Sequence, residues 1–332
     1  MSSSTGVPVN GPIGAIDGRF RAGEQILTVL ATPLNVLILR ALAKRPMRLA
    51  ELRQATGLPA QTTLRGHLSS LAEIGAVGKR PTTQMPYAVE NELTPMGEDV
   101  VAVAERLEKW LGLAPEAPIP LESGGARGMV KAFVDGWGST MLRGLAARPM
   151  SLTELDRLIP ELSYPALERR LSSMRMAGLI EARPGSGGGM PYGVTEWARR
   201  GILPLATAAD CEGRHLGKDA PEVTSVDIEA AFMLATPLVG LKREASGLCR
   251  FEVEVASDRS REPVGVEVAV EAGRVVSCDS GREGRAVAYA SGSASRWFGA
   301  IKDGTADLLS FGGSRQLSED LVNGLHTALL DH

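Results

Sequence analysis

Residues 40–81 read RALAKRPMRLAELRQATGLPAQTTLRGHLSSLAEIGAVGKRP, and residues 143–184 read RGLAARPMSLTELDRLIPELSYPALERRLSSMRMAGLIEARP. With a constant offset of 103 and no gap, the two stretches share 16 identities in 42 positions. The tripeptide Met-Pro-Tyr follows in both, at residues 85–87 and 190–192. Such self-similarity indicates that one structural unit occurs twice in the chain.

Each stretch has the pattern of three helices and a hairpin. In the first, the opening apolar pattern at helical spacing ends before Pro46, since the residue preceding a proline avoids helical dihedral angles. Leu64, Leu68 and Leu71 lie at i, i+4 and i+7, which marks the buried side of a third helix. Gly75 ends that helix, and two short strands follow. The pattern therefore predicts a winged helix in each repeat.

The second repeat also carries a family resemblance. The residues concerned are Trp137, Leu142, Arg148-Pro149, Leu152, Glu154-Leu155, Ile159-Pro160, Leu167, Arg170-Leu171, Gly178-Leu179-Ile180, Arg183, Pro191-Tyr192 and Val194-Thr195. This pattern resembles the HxlR-type winged-helix transcriptional regulators, and the first repeat is similar in a looser form. The resemblance implies DNA binding, in the family usually by dimers of one-domain chains on pseudo-palindromic sites. Neither repeat has a cysteine before its first helix, so the thiol switch of some such regulators is not implied.

A helical wheel with the leucines turned inward predicts the side chains that face DNA. Short polar residues let a helix approach the major groove, and Arg or Gln can form paired hydrogen bonds with base edges. Basic residues beside the hairpin tips are placed for phosphate or the minor groove. The predicted DNA-binding residues are Gln61, Thr62, Arg65, Ser69, Lys79 and Arg80 in the first repeat and Tyr164, Arg169, Arg170, Ser172 and Arg183 in the second.

The outward faces of the two recognition helices have diverged. Between residues 61–67 and 164–170 every position differs except the inward leucine. Two repeats with one fold and different outward faces predict that the two halves of the bound DNA site differ in sequence. The alternative is that one repeat has lost DNA binding and only packs, in which case the less basic second repeat is the one that has drifted.

Charge is distributed unevenly along the chain, although the net charge is only −3. Residues 40–80 contain eight basic and two acidic residues, whereas residues 210–332 contain thirteen basic and twenty acidic ones. A polyanion is therefore attracted to the front of the chain and repelled by its back. The alternative is that the arginines only solvate exposed helix faces.

We predict an α+β protein with two tandem winged helix-turn-helix domains followed by a smaller α+β domain of sheet and helices. The predicted boundaries are a disordered tail at 1–23, winged-helix domain 1 at 24–112, a linker at 113–126, winged-helix domain 2 at 127–210 and a C-terminal effector or dimerisation domain at 222–332. The helix at 94–111 has an apolar face that needs a partner. Its counterpart beginning at Thr195 predicts a pseudo-dimer within one chain, and a homodimer of whole chains stays open.

The C-terminal pattern changes to a helix at 228–241, alternating strands, and helices after residue 293 with a turn at residues 311–313. Residues 291–329 resemble the closing half of sterol-carrier-protein-type domains. The resemblance implies a small apolar ligand held between sheet and helices. The predicted ligand-binding residues are Trp297, Phe298, Leu308, Leu309 and Phe311. The alternative is that these are ordinary core residues.

Signatures of catalysis and of metal binding are missing from the sequence. It has no HExxH, no GxSxG and no P-loop, so we predict no enzymatic activity and no cofactor. Cys211, Cys249 and Cys278 form no CxxC pair, from which we predict neither a disulfide framework nor a metal site. The first twenty residues lack the pattern of a signal peptide, and no apolar run approaches ~18 residues, so we expect a cytoplasmic protein with no membrane partner.

The predicted function is a DNA-binding transcriptional regulator that reads double-stranded DNA with both repeats and responds to a small apolar effector. One alternative is a ligand carrier or protein-interaction protein whose winged helices are structural. Another is a winged-helix DNA-repair enzyme, although no acidic or nucleophilic residues cluster in the recognition region.

Overall fold

The computed structural model describes residues 21–81, 89–115, 118–134, 136–183, 190–254, 264–280 and 285–330, without the side chains of residues 136–139. In these ranges the chain is a mixed α+β structure with two two-stranded sheets and one five-stranded sheet. A hydrophobic core extends through it from Ile26 to Leu325. No single described helix is long and apolar enough to cross a bilayer, and only the first two together, with an 89° bend between them, have the length and composition of a span.

The first unit contains helices α1 (Glu24–Leu30), α2 (Pro33–Lys44), α3 (Leu49–Ala55) and α4 (Gln61–Glu73), strands β1 (Val77–Pro81) and β2 (Val89–Leu93), and helix α5 (Pro95–Gly112). Leu64, Leu68 and Leu71 of α4 are buried, as their spacing predicts. Gly75 has a φ of 81°, which glycine adopts without a Cβ clash, and it ends the turn after α4. β1 and β2 then pair in antiparallel fashion.

The second unit contains helices α6 (Gly124–Val134), α7 (Gly136–Ala147), α8 (Leu152–Leu158) and α9 (Tyr164–Met176), strands β3 (Ile180–Ala182) and β4 (Tyr192–Val194), and helices α10 (Glu196–Arg200) and α11 (Ile202–His215). Leu167, Leu171 and Met174 form the buried side of α9. Gly178 has a φ of 70° after that helix. From α7 to β4 the order of elements is the same as from α2 to β2.

Both hairpins gain a bridge from the loop that precedes α3 in the first unit and α8 in the second. Met47 pairs with Asn91 of β2, and Met150 pairs with Tyr192 of β4. Each bridge is antiparallel and is made by backbone hydrogen bonds in both directions. The loop therefore fixes the hairpin against the helices, because its backbone groups take the place of a third strand.

A charge-assisted cap starts α8 in the second unit and α3 in the first. Glu154 accepts hydrogen bonds from the Ser151 N–H at 2.7 Å and from the Arg148 guanidinium at 2.9 Å. The Ser151 N–H and hydroxyl, followed by Arg148, lower the pKa of Glu154 to about 2. In the first unit Glu51 accepts from Arg45 at 3.0 Å. The two caps hold α3 and α8 in the orientation that supports the helix after each.

The C-terminal part contains helix α12 (Ser225–Ala235), strands β5 (Gly247–Glu254), β6 (Val264–Glu271), β7 (Arg274–Asp279) and β8 (Ala288–Ser293), helix α13 (Ala294–Asp303), strand β9 (Ser310–Gly313) and helix α14 (Arg315–Leu330). Its sheet has the order β7-β6-β5-β8-β9. β5 and β8 are parallel, and the other neighbours are antiparallel. Phe232, Phe251 and Trp297 meet between helices and sheet, with ring centroids 4.9 to 5.3 Å apart.

Two local predictions for the C-terminal part are wrong. Residues 311–313 lie in strand β9 rather than a turn, because the ring of Tyr289 on β8 occupies the space where Gly312 would carry a side chain. The glycine therefore serves close strand packing and not chain reversal. The helix predicted at 228–241 ends at Ala235, since Pro237 allows only a single 3-10 turn over Thr236–Leu238.

The predicted linker and tail are partly folded. Within residues 113–126, Leu121 is 1% exposed and α6 begins at Gly124, so this segment packs as part of the core. Of the predicted tail, residues 1–20 lie outside the described ranges. The Gly23 N–H donates a hydrogen bond to Glu212 of α11 at 2.6 Å, and burial raises the pKa of that carboxyl.

Helices α5 and α11 pack against each other and join the two units. Beside this contact the indole rings of Trp110 on α5 and Trp197 on α10 stack with centroids 4.6 Å apart and planes 5° from parallel. Each indole N–H donates to the backbone carbonyl of the other tryptophan at 2.8 Å. The pair is therefore reciprocal, and it fixes both the distance and the register between the units.

The C-terminal part is held on the second unit by two partly buried arginines. Arg143 on α7 forms an ion pair with Asp227 on α12. Arg199 on α10 donates to the carbonyl of Met233 at 2.8 Å, near the end of α12, where the helix dipole favours a positive charge. Burial lowers the pKa of Arg199. These contacts attach α12 to two helices of the second unit.

The reciprocal tryptophans yield a prediction on stability. Trp110→Phe leaves the Trp197 carbonyl without its buried donor, so we expect the free energy of unfolding to fall by about 1–3 kcal/mol. The double variant with Trp197→Phe should lose less than the sum of the single losses, by about 0.5–1.5 kcal/mol, because the stack is lost only once. Urea unfolding followed by circular dichroism measures the cycle. Pairing Trp110→Phe with Trp297→Phe in the C-terminal part should give additive losses, and additivity in both cycles would contradict a coupled stack.

The cap at Glu154 yields a prediction on pH. Its folded pKa of about 2 lies below the ordinary value of 4.5, so its contribution is fully present above pH 4.5 and is lost as the pH falls towards 2. Glu154→Gln should therefore lower the melting temperature at pH 7. The difference in melting temperature between the variant and the wild type should shrink as the pH falls from 4.5 towards 2. Calorimetric melting between pH 7 and pH 3 measures this, with the exposed Glu168→Gln on α9 as control. A difference that stays constant with pH would refute the ionised cap.

Candidate nucleic-acid interface

Helix α4 presents a polar side that no described part of the chain covers. Gln61, Thr62, Arg65 and Ser69 are all exposed, and the adjoining Gly66 has open space around its Cα. Arg65 forms no ion pair with any described residue. A guanidinium held on a rigid helix and free of a carboxylate partner can donate two parallel hydrogen bonds to a guanine edge. This side of α4 therefore has the composition and exposure of a recognition surface.

The orientation of α4 is set by a contact that the sequence analysis missed. His67 lies on α4, and its Nδ1 is 2.8 Å from Oδ1 of Asn35 on α2. Both side chains are at least half-buried, with Asn35 6% exposed. The contact across 32 residues has no signal in local spacing, and it ties α4 to α2.

Helix α9 presents a second and different surface. Arg169 and Ser172 are exposed, and Tyr164 is 47% exposed at the start of the helix. Arg170 is half-buried, so it contributes less to the outward face than the wheel predicted. Arg169 forms no ion pair among the described residues. α9 thus offers one open guanidinium and one aromatic ring where α4 offers a guanidinium and an amide.

The basic residues of the hairpins are exposed but mostly paired. Arg80 lies 3.2 Å from Glu90 and 3.4 Å from Glu92, and Arg183 lies 2.7 Å from Glu181. Exposed ion pairs of this kind contribute only about 0–1 kcal/mol, so a phosphate can replace the carboxylate at small cost. Lys79 is exposed on β1. The hairpin tips, residues 82–88 and 184–189, lie outside the described ranges.

The predicted ligand-binding residues range from core to surface. Trp297 and Leu309 are 3% and 7% exposed, whereas Leu308 is 42% exposed, and Phe298 and Phe311 are half-buried. Trp297 is held by its ring contacts and by a hydrogen bond of 2.8 Å from its indole N–H to a backbone carbonyl of β5. The five side chains therefore do not share one surface in this structure.

A cluster of metal-ligating residue types lies at the contact of α5 with α11. The ligand atoms of Asp99, Cys211 and His215 all lie within 4.8 Å of one another. Cys211 and His215 are four residues apart on one helix, and the sequence analysis overlooked this spacing. Burial raises the pKa of the Cys211 thiol to about 12. Burial also acts to raise the pKa of Asp99, but hydrogen bonds from His215 and Arg214 outweigh it and lower that pKa.

Comparison with known families bears on the first of these surfaces. Residues 29–116 match the family model described as HxlR-like helix-turn-helix. The matched range runs from the end of α1 past the end of α5, so it includes α4 and its hairpin. A search of curated proteins finds no match. Within residues 29–116 the chain is thus similar to the HxlR-like helix-turn-helix family, whose members are DNA-binding transcriptional regulators.

Proposed function

We propose that this protein is a transcriptional regulator that places two winged helices on one duplex and reads a different half-site with each. The observation that carries the proposal is the exposure, on both α4 and α9, of an arginine without an ion-pair partner in the described chain, each on a helix whose opposite side is core. Arg65 and Arg169 are those residues. In the cell such a regulator works in the cytoplasm.

Duplication of one ancestral unit is supported by local geometry as well as by the 16 identities. Thr94 caps α5 and donates through its hydroxyl to the Gly75 carbonyl at 2.5 Å. Thr195 caps α10 and donates to the Gly178 carbonyl at 2.7 Å. Both glycines have positive φ. The same hydrogen bonds among loop, cap and hairpin would rarely evolve twice independently. We therefore infer that the two units have a common origin.

The divergence of the outward faces favours an asymmetric operator. Homodimeric regulators present the same face twice, which matches palindromic DNA. Here one face carries Gln61 and Arg65, and the other carries Tyr164 and Arg169. The intrachain contact of α5 with α11 supplies the pairing that a one-domain chain obtains from a second copy. One chain therefore supplies both halves of the recognition surface.

We further propose that the C-terminal domain senses a small apolar molecule. Its acidic surface is repelled by DNA, which leaves it free for regulation. Its resemblance to sterol-carrier-type domains favours a ligand between sheet and helices, near Trp297 and Leu309. Asp227 and the end of α12 contact α7 and α10, so a rearrangement in the C-terminal domain would act directly on these two helices.

The first test uses the two open arginines. Duplexes selected from a random library by the full chain should carry a non-palindromic site. On that site Arg65→Ala and Arg169→Ala should each weaken binding by about 1–3 kcal/mol and relax base preference in different halves. Fluorescence anisotropy over a range of salt concentrations measures both affinity and the number of phosphate contacts.

The matched control is Arg296→Ala, which removes an exposed arginine from α13 in the C-terminal domain and should leave DNA affinity unchanged. If Arg65→Ala and Arg169→Ala both bind as the wild type does, the winged helices are structural and the regulator proposal fails. If only Arg65→Ala weakens binding, the second unit has lost DNA contact, and the proposal of two half-sites fails.

The second test separates stability from groove contact at Gly66. A Cβ at Gly66 meets no atom within 4 Å. Gly66→Ala should therefore stabilise the fold by about 0.5–1 kcal/mol, because glycine is a poor helix former, yet weaken binding to the selected duplex by crowding the groove. Gly128→Ala on α6, equally open, should give the same stabilisation with unchanged DNA affinity. Equal DNA affinity of both variants would place α4 away from the groove.

A further inference from the structure

Asp99, Cys211 and His215 form a cluster that the DNA-binding proposal does not use. Asp99 lies on α5, and the other two residues lie on α11. We propose that these three side chains bind one divalent transition-metal ion, with Zn²⁺ as the chemical class, and that the ion links the two helices that join the units.

The backbone brings the three ligands together without distortion. Residues four apart on a helix point to the same side, so Cys211 and His215 face α5 together. The three ligand atoms lie within 4.8 Å of one another, so movements of roughly 1 Å bring them to the donor–donor separations of a tetrahedral site. Nε2 of His215 is 2.5 Å from Oδ2 of Asp99, which is a hydrogen bond. An ion with bonds of about 2.0–2.3 Å would replace this contact and move the two side chains apart by roughly 1 Å.

The ligand types match a zinc site and favour no hard cation. Thiolate sulfur, imidazole nitrogen and carboxylate oxygen are the ligands that Zn²⁺ prefers, whereas Mg²⁺ and Ca²⁺ prefer oxygen alone. Three protein ligands leave the fourth tetrahedral position for water. Binding requires that the Cys211 thiol release its proton to solvent and that His215 be neutral, so the thiolate and the Asp99 carboxylate neutralise the ion.

Access to the cluster is one-sided. The side chains of Asp99 and His215 are 30% and 22% exposed, and Cys211 is fully buried beneath them. An ion therefore enters from solvent past the carboxylate and the imidazole and reaches sulfur last. Both outer side chains have room to make the small movement that coordination needs.

Arg214 is the described cation nearest the cluster. Because it forms ion pairs with two carboxylates, its positive charge does not prevent a metal ion from binding. Its guanidinium lies 2.6 Å from Asp99 and 2.8 Å from Asp210. Arg214 and His215 share Oδ2 of Asp99, so with the ion on that oxygen Arg214 would keep Asp210 and move to Oδ1 of Asp99. A hydrogen bond from outside to a ligating carboxylate orients it, as in known metal sites. The bound ion, thiolate and carboxylate sum to zero charge, so Arg214 faces no added repulsion.

The test is a titration of the metal-free full chain with Co²⁺, a coloured substitute for Zn²⁺. We expect one equivalent to bind with a sulfur-to-metal charge-transfer band, and Zn²⁺ to displace it and raise the melting temperature. Cys211→Ser should abolish the band. Asp99→Asn and His215→Gln should each weaken binding on the order of tenfold or more, since even groups outside the coordination shell contribute about 10–100-fold.

The chain supplies matched controls. Cys249 and Cys278 are also buried thiols, and His326 is a half-buried histidine, but none of them belongs to a ligand cluster among the described residues. Cys249→Ser, Cys278→Ser and His326→Gln should leave the band and the affinity unchanged. If Cys211→Ser does not fold, Asp99→Asn and His215→Gln decide, because their side chains are partly exposed.

The proposal is overturned if no band forms, if the three ligand variants bind Co²⁺ as the wild type does, or if the control variants lose binding equally. No DNA is present in this titration, so its outcome is independent of whether the chain is a regulator.

Discussion

The packing of α5 against α11 is the contact on which the arrangement of the chain depends. Val100, Val103 and Leu107 of α5 are completely buried. Each would otherwise be exposed apolar surface, and burying a side chain of this size contributes about 1.5–3 kcal/mol. Hydrophobic burial is non-directional, so by itself it lets two helices slide or rotate. The reciprocal hydrogen bonds of Trp110 and Trp197 can form in only one register of the two units. They therefore fix a contact that apolar burial alone would leave free to slide.

If α4 and α9 both contact DNA, as proposed above, joining them in one chain allows their outward faces to diverge. In a homodimer every substitution appears in both half-sites, because the two faces are copies. Here α4 and α9 occur once each, so Gln61 and Tyr164 can diverge at equivalent positions without a shared constraint. The pairing also carries no dependence on protein concentration, since no second molecule has to associate. A single chain is thus able to hold an unequal pair of recognition surfaces at a fixed spacing.

Local signals in the sequence predict the helices and the ends of the helical units. The contacts between residues far apart in the chain cannot be predicted from those signals. The leucines at i, i+4 and i+7 identified the core of α4, and Gly75 identified its end, because both follow from backbone geometry alone. Residues 311–313 were wrongly predicted as a turn, because a pair of glycines is typical of turns and the sequence does not show that the ring of Tyr289 packs over Gly312. The contact of His67 with Asn35 joins two helices through tertiary packing that no spacing encodes.

The cluster of Asp99, Cys211 and His215 could be predicted from the sequence only in part. Half of its signal, the four-residue spacing of Cys211 and His215, is local and could have been found in the sequence. The other half is a carboxylate more than a hundred residues away, which is brought close only because α5 and α11 pair. The same pairing joins the two units and creates the cluster, so one long-range contact accounts for both.

The described contacts also limit how a signal could travel. The C-terminal domain holds the second unit through Arg143 and Arg199, on α7 and α10. A ligand shifts a structure only by binding one arrangement more tightly than another. Because these two helices belong to the second unit, a rearrangement in the C-terminal domain would act on that unit first. It would reach the first unit through the α5–α11 contact and the Trp110–Trp197 stack, so regulation along this route would depend on how the two units are placed relative to each other.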